Sequence, residues 1–197
     1  IEIPEGVTSI DYDAFTNCKS LKNVTLPSTL TKIGSSAFDG CSNIREITIP
    51  SSVTVIDSSA FSGCTNIKEI TIPDSVITIG SNAFSECTNL NSVKLSKNLS
   101  EIGYDAFYKC NALTSIEIPK SLKEVNDGWY GYIGAFSYCD NLKNITFEKG
   151  TTHVAGRLFY NCTGLETIEI PEGVTSIDYN AFTNCKSLKN VTLPSTL

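Results

Sequence analysis

The stretch Pro50–Ile72, PSSVTVIDSSAFSGCTNIKEITI, returns with the same residue types when the chain is shifted by 23 residues in either direction. Pro27, Pro50, Pro73 and Pro119 open successive units, and Ser96 takes the place of one proline. Cys18, Cys41, Cys64, Cys87 and Cys110 keep the same interval. A fixed period of this length marks a stacked-repeat architecture, and it outranks any local reading of the chain.

Within the unit, Ile70 and Ile72 alternate with Glu69 and Thr71, the period of a strand with one buried face. Val53 and Ile56 lie in a second, shorter extended run. Ser58 to Cys64 reads as one helical or 3₁₀ turn, with small residues, Ser near its start and Gly63 near its end. Pro50 stops the preceding strand, since it has no N–H for a ladder. One unit buries too little apolar surface to offset the entropy of ordering its backbone. Stability therefore requires neighbours that share their faces. At strand spacing, eight units make a right-handed coil roughly 40 Å long.

Units opening at Pro4, Pro27, Pro50, Pro73 and Ser96 are regular. The unit from Pro119 gains six residues within about 126–134, NDGWYGYIG, before Ala135-Phe136. In the next unit Glu148 replaces proline, Thr151 replaces Val and Leu158 replaces Ala. Residues 168–197 then repeat residues 1–30 with one change, Asn180 for Asp13. The reading is a single array, 1–197, of about eight 23-residue units. It is expected to be an uncapped piece of a longer protein, prone to stack end to end on other copies.

A net charge of -6 argues against nucleic-acid backbones and anionic membranes as partners. No apolar run approaches the roughly 18 residues of a membrane span, so direct membrane insertion is not expected. The eight cysteines all follow Ala-Phe or its equivalent at one position, and no Cys-x-x-Cys pair is present. Parallel side chains one coil apart, about 4.8 Å, are too distant for disulfides. They read as a column of buried thiols acting as apolar filler, with no disulfide, metal or cofactor. Phe15 to Phe182 read as a stacked ridge beside them. No nucleophile motif or phosphate loop occurs, so no enzymatic activity is expected. Asn-x-Ser/Thr sequons at Asn23, Asn98, Asn144, Asn161 and Asn190 matter only in a eukaryotic secretory host.

The pattern Leu-x-x-Ile/Val-x-Ile/Leu, as in Leu21–Leu26 and Leu165–Ile170, is that of leucine-rich repeats. With proline after the strand, then Ile-Gly or Ile-Asp, Ala-Phe and Cys, as in Ile79–Cys87, the unit resembles the BspA-like leucine-rich repeat family. The resemblance implies a leucine-rich repeat solenoid with a parallel sheet on its concave face. It also implies a secreted or cell-surface protein, extracellular, that adheres to host matrix proteins, glycoproteins or other cells. A structural stalk with no ligand of its own is the alternative; the return of residues 1–30 at 168–197 reads as a duplicated super-repeat of the parent, loop included, and an aromatic loop repeated in this way argues against a stalk.

Two regions are candidate binding sites. The first is the insertion and its surroundings: Trp129, Tyr130, Tyr132, Tyr138, His153, Arg157 and Tyr160. Exposed aromatics among glycines suit recognition, whereas a loop folded over the altered unit suits packing, and both readings stand. The second is the exposed strand column, including Glu46, Thr48, Glu69, Thr71, Lys94 and Glu117. In leucine-rich repeats that face binds ligands; the same residues also suit a solvated β-surface.

Overall fold

The computed structural model describes residues 1–126 and 134–197. Short strands separated by turns wind into stacked coils, and every strand pairing is parallel. No α- or 3₁₀-helix occurs among the described residues.

The longest sheet is built from the segment that looked the weaker strand former. Ser9–Ile10, Lys32–Ile33, Val55–Ile56, Thr78–Ile79, Glu101–Gly103 and Glu124–Asn126 form six parallel strands in that order. Their register is that of the repeat: Val55 faces Lys32 on one side and Thr78 on the other. The sheet breaks after Glu124–Asn126, and a separate pair, His153–Val154 with Ser176–Ile177, resumes it. At the break, the His153 ring Nε2 lies 3.1 Å from the Lys123 carbonyl. A carbonyl can only accept, so Nε2 carries the proton and donates. The ring takes the place of the Thr152 amide, whose counterpart Thr54 donates to Thr31 in a regular coil.

The segment expected to be a helical turn takes another form. The Ala60, Ser62 and Cys64 amides donate to carbonyls three residues back, while the Ser59, Phe61 and Gly63 amides donate to Ser81, Ala83 and Ser85 of the next coil at 2.8 Å. Ser59 and Gly63 have φ of 55° and 65°. A left-handed residue at each of these positions turns alternate amides sideways, which a helix cannot do. Ser, Asn or Asp fills the first of them in most coils, at Asp13, Ser36, Asn82, Asp105 and Asn180.

The core is a set of columns. Rings from Phe15 through Phe38, Phe61, Phe84, Phe107, Phe136, Phe159 and Phe182 stack in sequence. Centroid separations run from 5.0 Å at Phe107–Phe136 to 5.7 Å at Phe136–Phe159. Coils approach so closely that a Cβ at Gly103 would collide with the Gly80–Ser81 backbone.

The cysteines do more than fill space. Each thiol from Cys41 onward reaches the carbonyl of the Phe in the preceding coil, as in Cys64–Phe38 at 3.2 Å and Cys139–Phe107 at 3.2 Å. A small apolar group with a weak donor adds a second bond there to a carbonyl that already accepts an amide, as Phe38 does from Cys41 at 3.1 Å. Seven of the eight are buried, and none is bonded to another sulfur. Cys18 is the correction to the buried-column reading: it is exposed, because no coil of this chain lies on its outer side. Burial pushes the Cys87 and Cys139 thiols up to about 12, with Cys64 and Cys110 also raised. Since the thiolate is the reactive form, one thiol per folded chain should react rapidly with an aromatic disulfide reagent. Denaturation should release the other seven; rapid reaction of several thiols under native conditions would contradict the packing.

Candidate functional site

The strand that ends each unit forms the second long face. Its buried residues, such as Ile70 and Ile116, face the core, and Glu69, Thr71, Ser115 and Glu117 face outward. Its ladders are discontinuous: Glu69–Thr71 pairs with Ser92–Lys94, Ser115–Ile118 with Asn144–Phe147, and Thr167–Glu169 with Asn190–Thr192. Asn23 and Glu46 share an isolated bridge.

Grooves open on this face. One of about 680 Å³ is lined by Arg45, Glu46, Thr48, Lys68, Glu69 and Thr71, with Ile47, Ile49 and Pro73 beneath. A second, of about 300 Å³, lies among Val93, Lys94, Leu95, Lys97, Glu117, Pro119 and Glu148. A third, of about 410 Å³, is walled by Lys143, Asn144, Thr146, Glu166 and Thr167. All six residues that the sequence placed on the binding column, Glu46, Thr48, Glu69, Thr71, Lys94 and Glu117, line the first two grooves. Arg45, Lys68, Lys97 and Lys143 were missed. The signal was available, since Lys22, Arg45 and Lys68 recur at one position of the unit, but they sit one residue before the alternating column.

The other candidate region is divided. Trp129, Tyr130 and Tyr132 lie outside the described residues. Tyr138 sits edge-on to Tyr108 at 5.4 Å and tilted against Tyr160 at 6.2 Å, so these three half-buried rings form one row. Lys109 Nζ lies 4.8 Å over the Tyr108 ring and 3.6 Å from Glu86, and Asn184 donates to the Tyr160 hydroxyl. His153 is engaged with Lys123, whereas the Arg157 guanidinium covers the Tyr179 ring at 4.8 Å. The pair thus serves separate contacts between coils. Among the described residues no group of three or more His, Cys, Asp or Glu could hold a metal ion. Asp105 was not singled out by the sequence. It is buried, one carboxylate oxygen has no hydrogen-bond partner, and burial raises its pKa to about 6.

Parallel strands in 23-residue register, a Leu-x-x-Ile strand face and stacked phenylalanines define a leucine-rich-repeat solenoid. The BspA type leucine rich repeat region matches in six copies over residues 1–76, 66–134 and 132–197, and the chain belongs to this family. The leucine rich repeat protein of T. pallidum superposes with a TM-score of 0.72 at 31% identity, over 84% of this chain and 77% of that one. A leucine rich cell surface protein of Faecalibacterium prausnitzii gives 0.57 at 28% identity, over 100% and 73%. The pneumococcal vaccine antigen PcpA, at 22% identity over 100% and 60%, shares the fold with a TM-score of 0.66. No curated protein matches the chain. No helix of the described residues is long and apolar enough to cross a membrane.

Proposed function

We propose that this chain is a recognition segment of a surface-exposed protein, which engages a protein or glycoprotein on a host or neighbouring cell through its strand face. The observation that carries the reading is the coincidence of the outward strand column with the grooves: the largest is walled by Arg45, Glu46, Lys68 and Glu69. Concave surfaces with a few convergent polar groups are where ligands bind. The extracellular placement draws on the F. prausnitzii relative, itself described as a cell surface protein.

Binding of the chain to immobilised matrix proteins and to whole cells tests this. Exchanging the charges by Lys68→Glu with Glu69→Lys should weaken binding tenfold or more. Melting should stay within the small range typical of exposed substitutions. Unchanged binding overturns the assignment, and loss on Tyr138→Ala with Tyr160→Ala instead would move the site to the tyrosine row.

A further inference from the structure

These three grooves coincide with three openings in the sheet, and a smaller one of about 200 Å³ runs from the second opening across the closed pair at Ser115 and Asn144. Among the described residues, no backbone hydrogen bond joins 45–49 to 68–73, 92–95 to 115–119, or 143–147 to 166–169. In the closed pairs the equivalent bonds are made: the Ile72 amide donates to Lys94 and the Ile170 amide to Thr192, at 2.8 and 2.9 Å. Their counterparts, from the Ile49 amide to the Thr71 carbonyl and from the Leu95 amide to the Glu117 carbonyl, are not made. The first two slots thus each leave a main-chain donor and a main-chain acceptor without the bond that closes the other pairs.

We infer that these slots bind an extended polysaccharide, one disaccharide per slot. The inference rests on the strand face being the recognition surface and names its ligand class. A peptide strand does not fit the second and third slots, where the flanking strands keep Cα atoms within 8 Å. An intercalated strand needs roughly 9.6 Å, twice the spacing of paired strands. A sugar hydroxyl does fit, because it donates and accepts at once and so satisfies both an amide and a carbonyl across a narrow gap. The side chains agree. Each slot sets basic groups (Arg45 and Lys68, Lys94 and Lys97, Lys143) beside a glutamate, and both signs hydrogen-bond to hydroxyls. None of these five basic side chains is in an ion pair within the described residues. Successive slots are two coils apart, one closed step of roughly 4.8 Å and one wider open step, which together are on the order of one disaccharide in an extended chain.

Calorimetric titration with β-1,4-linked glucose oligomers and with uronate-containing hyaluronan oligomers tests this on the intact chain. Affinity should rise at least tenfold from disaccharide to hexasaccharide in one series or the other, as linked units engage successive slots. Thr71→Trp, which blocks the first slot from an exposed position, should lower hexasaccharide affinity about tenfold, remove about one of the roughly three disaccharides bound per chain and preserve the melting temperature. Absence of binding in both series, or binding without length dependence, overturns the inference. If matrix or cell binding through Lys68 and Glu69 persists in that case, the recognition surface stands and only its ligand class is wrong; if that also fails, both fall.

Discussion

Phe84→Ala should destabilise the chain by about 3–5 kcal/mol, the range for truncating a fully buried aromatic. Phe84 is fully buried and its ring stacks on Phe61 at 5.3 Å and on Phe107 at 5.1 Å. Truncation removes two stacking contacts and leaves a void between coils. Closing that void would require the coils to approach, but they are already held by the Phe61–Ala83 and Phe84–Ala106 hydrogen bonds at 2.8 and 2.7 Å. The backbone therefore cannot collapse into the cavity. In a coil array each unit is supported only by its neighbours, so the loss should separate the molecule into two weakly coupled halves. Urea denaturation monitored by circular dichroism should show an earlier and broader transition. An unfolding free energy within about 1 kcal/mol of the parent would mean that the column is not the main support of the stack.

Asp105→Asn should act in the opposite direction, stabilising the chain by about 1–3 kcal/mol at neutral pH. Burial of the carboxyl lifts its pKa from 3.8 to about 6. Between those values the folded chain holds a proton that the unfolded chain has released, so stability falls as pH rises through the window. Below about pH 4 both states are protonated and the penalty vanishes; above about pH 6 both are ionised and it is complete. Asparagine has no charge to desolvate, and it suits the left-handed backbone: Asn82 holds φ 57° one coil earlier, beside 54° at Asp105. The gain should therefore be present in melts at pH 7 and absent at pH 4. Equal gains at both values would assign the effect to backbone preference rather than to charge.

The repeat made the columns legible. Once Cys64 and Phe61 recur at a fixed interval, each must face its own copies, and the stacked rings and unbonded sulfurs follow. The groove-lining residues Glu46, Thr48, Glu69 and Thr71 were legible for the same reason, since alternation with buried Ile47 and Ile70 turns them outward. The Ser58–Cys64 turn was misread because Ser, Ala and Gly suit a helical turn and an alternating left-handed turn equally. Only the neighbouring coil, which accepts every second amide, chooses between them. His153 stands alone in the sequence, and its task of bonding Lys123 across a break in the sheet exists only once the coils are stacked.

The sequence by itself determined the period, the inward and outward faces and the membership of every column, because side-chain direction is a local property of a repeated backbone. Tertiary structure alone decided which coils bond along the strand face and which stand apart. Hydrogen bonding between coils depends on backbone separations that no residue type specifies, and those separations are what open the grooves.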